Sequence, residues 1–301
     1  MTFAPSLTTR RRGARRHDGA TAALFLAPGM VGLSLFLLLP IAVVLWLSVH
    51  RWDIISPITP AGLSNFASVL GDGRFLRSLL ITVVFTAITV PLQTVLGLAV
   101  GSVLSWRLPG TALLRLVLLV PWVCAPLAVG VVWRWVLAPT DGLVASMLGH
   151  RITWLDDPAL ILPIIIAVSV WSSVGYVSLF YSAGISAIPP EIYEAARLDG
   201  ASRSVLFRRI TVPLLRPTTY FLLVTGSLST FQTFDTAYAL APNGGPERAA
   251  DLVAGRIYYD AFSSFQFGRA AAASLVLFAV LAGVTVLQHL SIQRGSVHEL
   301  S

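Results

Sequence analysis

Six stretches of this chain, at roughly 22–48, 77–104, 112–136, 159–184, 214–240 and 268–290, are long and apolar enough to cross a bilayer. A spanning helix needs about 20 mostly apolar residues, and in lipid each backbone N–H and C=O must find its partner within the protein. These runs take up about half of the 301 residues and leave no room for a sizeable soluble domain. The expected fold is an all-α polytopic membrane protein with six transmembrane helices. At 55% hydrophobic and 12% charged, with a mean hydropathy of +0.78, the composition agrees.

The charge pattern narrows the function. The net charge is +7 and every basic residue is arginine. Without lysine the chain cannot carry the GK[ST] of a phosphate-binding P-loop, so it has no standard nucleotide-hydrolysing site. No cofactor bound by this chain is expected. The five histidines, His17, His50, His150, His289 and His298, fall in loops, tails or span ends. There is no HExxH, GxSxG or CxxC, and no paired acids lie within a span. Hydrolytic or metal chemistry needs ionisable groups gathered at depth, so neither an enzyme nor a metal site is expected. Cys124, the single cysteine, lies inside an apolar run. The positive charge is set against membrane lipid, not nucleic acid.

Residues 1–21 form a basic tail with Arg10, Arg11, Arg12, Arg15 and Arg16, and the apolar run after it is far longer than a signal-peptide core. It reads as a retained first span. Six spans put both termini on one side. That side, with the 105–115 loop and the 185–217 loop, holds 13 of the 21 arginines. The positive-inside rule places both termini (residues 291–301 forming the second tail) in the cytoplasm. Gly97 and Gly101 give a small-residue seam that lets helices approach closely.

The 185–217 loop is polar and ordered in its punctuation. Pro189-Pro190 opens a helix, since a first-turn proline lacks only an N–H that would be unpaired there. Glu191 and Glu194 place negative charge near the positive end of its dipole. Gly200 ends it, Ser202 caps a second helix, and Pro213 is expected to halt that one. A helix–glycine–helix elbow between two spans reads as a surface built to meet a partner.

Polar groups within the spans suggest a path. Gln232, Asp235 and Tyr238 recur every three residues and so share one helix face. An aspartate at mid-bilayer costs about 2.5–3.5 kcal/mol to insert, so Asp235 either lines a path or sits close enough to the interface to hydrate itself. Ser169, Ser172, Ser173 and Tyr176 lie at helical spacing beside Trp171. Hydroxyls with aromatics suit a sugar, and serine is equally an ordinary packing residue between membrane helices. On the opposite side of the membrane, Pro242-Asn243-Gly244-Gly245-Pro246 marks a turn.

The spacing Glu194-Ala195-Ala196, Gly200, Ile210, Pro213, in the context IPPEIYEAARLDGAS…VPLLRP and later FDTAYALAPNGGP, resembles the EAA signature of bacterial binding-protein-dependent ABC importer permeases of the carbohydrate type. The similarity runs from about Leu24 to Leu290. It implies a type I ABC importer permease fold in which 77–290 is the five-helix conserved domain and 185–217 carries a cytoplasmic coupling helix. It assigns Glu194, Ala195, Ala196, Asp199, Gly200, Ile210 and Pro213 to contact with an ATPase. It also implies a second related permease, an ATP-binding subunit dimer that uses the ATP, and an extracytoplasmic solute-binding protein facing Gly244, Gly245 and Pro246. The implied setting is a bacterial inner membrane and the implied cargo a sugar or related polyol. Val212 departs from the family's usual leucine. Asp251 departs from its usual threonine and bears on the binding-protein docking surface. A stand-alone secondary transporter or channel is the alternative; it would need charge-lined discontinuous helices.

Overall fold

The structure, a computed structural model, describes residues 14–106, 110–149, 151 and 153–296, with side chains described from 24 to 290 within those ranges. Most of the expected basic tail, the C-terminal residues from 297, His150 and His298 lie outside the described residues.

The first apolar run is one continuous helical rod: α1 (Ala14–Leu33), a π turn at Ser34–Leu38, and α2 (Leu39–Ser48). A short hairpin comes next, β1 (His50–Arg51) paired antiparallel to β2 (Thr59–Pro60), and then α3 (Ser64–Leu70). The long helix α4 (Gly73–Leu104) opens on Asp72, whose carboxylate accepts the backbone N–H of Arg74. It runs parallel to α8 (Ile161–Ser186), and these two form the centre of the molecule. The last long helix, α15 (Phe267–Ser296), packs against α2 and α3.

Small residues set the α4–α8 distance. A Cβ on Gly97 would lie 2.3 Å from Val177 Cγ1, and one on Gly101 would lie 2.6 Å from the Ser178 carbonyl oxygen. The glycine seam serves packing within this chain. At the same end Arg115 donates to the Leu104 carbonyl at 3.0 Å, a positive charge on the negative end of α4.

Two of the expected spans are broken. The run 112–136 folds as α5 (Thr111–Val123) and α6 (Pro126–Val136), bent by 96°. Pro126 drives the preceding residue out of the helical region, and both Cys124 (ψ 145°) and Ala125 (ψ 127°) are extended. After the small helix α7 (Leu143–Leu148) and α8 comes the second case. The run 214–240 folds as α12 (Arg216–Phe231) and a six-residue α13 (Asp235–Leu240), separated by Gln232–Phe234. Four described helices are thus long and apolar enough to span, and the bent α5–α6 pair makes up to five.

The elbow also differs from expectation in one place. Its first helix, α9 (Pro190–Leu198), and the turn α10 (Arg203–Val205) form as expected, but Pro213 does not halt the second helix. A π turn at Leu206–Thr211 runs into α11 (Val212–Leu214), and the break falls at Leu215. The wider π turn already pairs backbone groups one residue further apart, which lets proline enter without a clash.

Candidate functional site

The two broken helices meet. Pro121, Trp122, Cys124 and Pro126 from the α5–α6 bend, and Gln232 to Thr236 from the α12–α13 break, line one cavity of about 330 Å³. Ser169, Ser172 and Ser173 of α8 complete it. The two breaks are tied directly, since the Thr236 hydroxyl donates to the Pro126 carbonyl at 3.1 Å. Gly130 of α6 leaves space for Ala239, which a Cβ there would meet at 2.6 Å. Non-helical backbone at membrane depth is tolerated where it is buried in protein or lines a water-filled cavity, and here both interruptions open onto the same one.

The proposed path residues are only partly gathered. Ser172, Gln232 and Asp235 line the cavity. Asp235 stands in the first turn of α13, where its charge faces the helix's positive end. Gln232 and Asp235 do not share a helix face, because the break between them ends the three-residue periodicity. Tyr238 points elsewhere, into an aromatic group with Phe234 and Tyr258 at 5.1 and 5.7 Å between ring centroids. Tyr176 reaches the site indirectly by stacking on Trp122 at 4.5 Å. Pro121 and Pro126 are a local signal for the first break that the expected unbroken span overlooks; no glycine or proline lies within the second.

At the elbow, α9 closes with the hydrogen bonds of a left-handed glycine cap. Ala201 N–H reaches the Ala196 carbonyl at 2.9 Å, Gly200 N–H reaches Arg197 at 3.0 Å, and Gly200 adopts φ +81°. Tyr193 and Thr211 hydroxyls meet at 3.0 Å and pin α9 to the π turn. Glu194, Ala195, Asp199 and Gly200 are exposed, Ala196 and Ile210 half-buried, and Pro213 half-buried behind them. Leu198, which sequence reading passed over, is 90% exposed on the same short helix. An apolar side chain held out beside an acid and a smooth alanine face has the composition of a docking surface.

The opposite end holds what the sequence did not disclose. Asp72 before α4, Arg256 in α14 (Val253–Tyr258), Asp260 in the π turn after it, and Arg269 at the start of α15 form an ionic cluster, with Arg256 and Asp260 buried and Asp72 and Arg269 half-buried. Arg256 lies 3.3 Å from Asp260 and 3.7 Å from Asp72, and Arg269 bonds to Asp72 and lies 3.3 Å from Asp260. Burial pushes the Asp260 carboxyl above the ordinary range despite both arginines. At Asp72 burial works the same way, but the Arg74 N–H and Arg269 outweigh it and hold the carboxyl below that range.

The Gly244-Gly245-Pro246 turn packs on Asp251, Ala241 and Ile161, with both glycines at positive φ. Asp251 is half-buried beneath it and takes a hydrogen bond from Ser78 at 3.0 Å. A Cβ on Gly244 would touch Asp251 Cβ at 2.7 Å. Asp251 therefore supports the turn from below.

Comparison with known proteins agrees with this architecture. The family model for the binding-protein-dependent transport system inner membrane component matches residues 24–295. The sn-glycerol-3-phosphate transport system permease protein of Agrobacterium fabrum is 32% identical over 88% of this chain and 92% of its own length. The trehalose/maltose transport system permease protein of Thermococcus litoralis is 31% identical over 88% and 90%. A bacterial ABC transporter involved in the import of the acidic polysaccharide alginate superposes with a TM-score of 0.74 at 23% identity, over 93% of this chain and 96% of that one. The alginate transporter in complex with an alginate pentasaccharide-bound periplasmic protein gives 0.75 at 22%, over 94% and 97%. These two likenesses establish the fold. The chain belongs to the binding-protein-dependent transport system inner membrane components, the non-enzymatic permease subunits of ATP-driven importers.

Proposed function

We propose that this permease passes a sugar or related polyol, delivered by an extracytoplasmic binding protein, through the cavity between its two broken helices. The observation that carries the reading is the convergence of both interruptions on one cavity rich in hydroxyl and amide groups. Ser172, Gln232 and Asp235 offer donors and acceptors to a polyhydroxylated solute, and the Trp122–Tyr176 stack offers an apolar face beside them. The relatives named for glycerol phosphate and for trehalose/maltose support the substrate class.

In this reading α12 completes a sixth crossing, 16 residues long, with the polar break continuing its path. Both termini and the elbow are cytoplasmic, in keeping with the arginine bias. The chain pairs with a second permease and docks one of two ATP-binding subunits through Glu194, Ala195, Ala196, Asp199 and Gly200, with Ile210 and Pro213 bracing them. ATP is bound by those subunits and no cofactor by this chain. The turn at Gly244, Gly245 and Pro246 faces the binding protein. Nucleotide state then biases an equilibrium between inward- and outward-open conformers through the elbow.

Glu194→Lys tests the coupling. It reverses the charge of an exposed residue, so membrane insertion and thermal stability are expected to stay at wild-type values while ATP-driven uptake is lost. Normal uptake by that variant would show that Glu194 is not in the docking surface.

A further inference from the structure

A second cleft, of about 600 Å³, lies away from the broken helices, where the first helix, the β1–β2 hairpin, α3 and the start of α15 meet. Its volume falls within the range of about 300–1,000 Å³ usual for small-molecule sites. One wall is the Trp52 indole, half-buried and braced by Phe267 at 5.3 Å between centroids. Thr59, Ser64, Ser68 and Gln266 add hydroxyls and an amide.

The floor is fixed from behind. Asn65 is 6% exposed, and its amide nitrogen donates to the Ser48 and His50 carbonyls at 2.9 and 2.8 Å, so what it retains for a ligand is an acceptor. Arg269 is held by Asp72 and Asp260, which neutralise it. The opposite wall is a strained loop. Ile54, β-branched, sits at φ +72°, a conformation such residues avoid. It is kept there by Asp53, whose carboxylate accepts the N–H groups of Ile55 and Ser56 at 3.1 and 2.6 Å and the Ser56 hydroxyl at 2.9 Å. Strain of this kind persists where the surroundings over-determine it, often at ligand clamps.

Arg51 also lines the cleft and donates to the Ser64 hydroxyl at 3.2 Å. Its charge is set against that of Asp53, and with Arg269 neutralised the lining is rich in donors and acceptors and nearly balanced in charge. That chemistry fits a neutral polyhydroxylated ligand on an aromatic plate better than an anion. We infer that this cleft is a second saccharide- or polyol-binding site, separate from the cavity of the broken helices, with Trp52 as its stacking surface. The inference rests on the substrate class proposed above.

Full-length protein, purified with its associated subunits into phosphatidylcholine nanodiscs, is titrated calorimetrically with maltotriose. Trp52→Ala is expected to weaken binding roughly ten-fold or more, as truncation of an aromatic anchor does. Trp52→Phe should stay within about three-fold, because a ring remains to stack. Gln266→Ala, also in the lining, is expected to weaken binding with the thermal midpoint unchanged. Gln232→Ala should leave the Trp52-dependent binding intact. Wild-type affinity in both Trp52→Ala and Gln266→Ala would overturn the site. So would loss of maltotriose binding on changing the disc lipid to phosphatidylglycerol, which would mark an anionic headgroup site. Uptake of maltotriose by an importer whose cleft variants bind normally sinks the cleft alone. Absence of both binding and uptake of any saccharide sinks the substrate class as well.

Discussion

At the residue scale the ionic cluster is the feature with the largest single-substitution effects. Two arginines and two aspartates balance when Asp72, Arg256, Asp260 and Arg269 are taken together. Arg269→Met leaves two acids sharing Arg256; breaking a fully buried pair costs about 3–5 kcal/mol, and with Asp72 and Arg269 half-buried a smaller loss is expected here. Unfolding of the purified protein should show that loss, and Asp260→Asn added to it should recover part of it by restoring the balance. Asp251 gives a pH-dependent counterpart. Burial pushes its carboxyl above the ordinary value of 3.8, outweighing the Ser78 hydrogen bond and Arg256, Arg248 and Arg77. A raised folded pKa means that the folded state binds the proton more tightly than the unfolded one. The stabilisation is full below 3.8 and lost as pH rises through the raised value. Asp251→Asn is therefore expected to melt higher than wild type at pH 8, with the advantage vanishing toward pH 4. A constant offset across that range would refute the titration.

At the element scale the decisive contacts are backbone approaches at glycine. A Cβ on Gly175 would lie 1.7 Å from the Leu118 carbonyl oxygen, whereas one on Gly97 would meet the movable side chain of Val177. Gly175→Ala should thus destabilise the α5–α8 pair by roughly 1–3 kcal/mol, the usual cost of overpacking, and Gly97→Ala by less. Equal melting temperatures for the two variants would contradict this ranking. Sequence patterning reached the elements unevenly, for a physical reason. Hydropathy reports how apolar a run is and says nothing about whether its backbone stays helical. The long rods α4, α8 and α15 were legible for that reason, and the 96° bend at Cys124-Ala125 was legible only through Pro126. The break at Gln232–Phe234 comes from tertiary contacts such as Thr236 to Pro126, which no local signal encodes. The elbow was legible because proline, glycine and charge act within a few residues of themselves. The ionic cluster joins residues almost two hundred positions apart, and sequence spacing carries no trace of it.

At the scale of the whole molecule, the cavity between the broken helices must be wet on one side and then on the other if it is the path. Cys124 is the chain's only cysteine and lies at the α5–α6 bend with its side chain exposed, lining that cavity. A thiol facing lipid is out of reach of a charged, impermeant reagent, whereas one facing water is open to it. Cys124 therefore reports hydration of the cavity without any engineered residue. With the importer in sealed vesicles, an impermeant maleimide added from the binding-protein side is expected to label Cys124 slowly in the nucleotide-free state. Trapping the ATP-bound state should raise that rate, and the same reagent from the elbow side should show the opposite order. Saturating sugar should protect Cys124 in the accessible state, since Ser172 and Gln232 line the same space. Labelling equal from both sides and indifferent to nucleotide would mean that the cavity never changes access, and the solute would have to pass by another route.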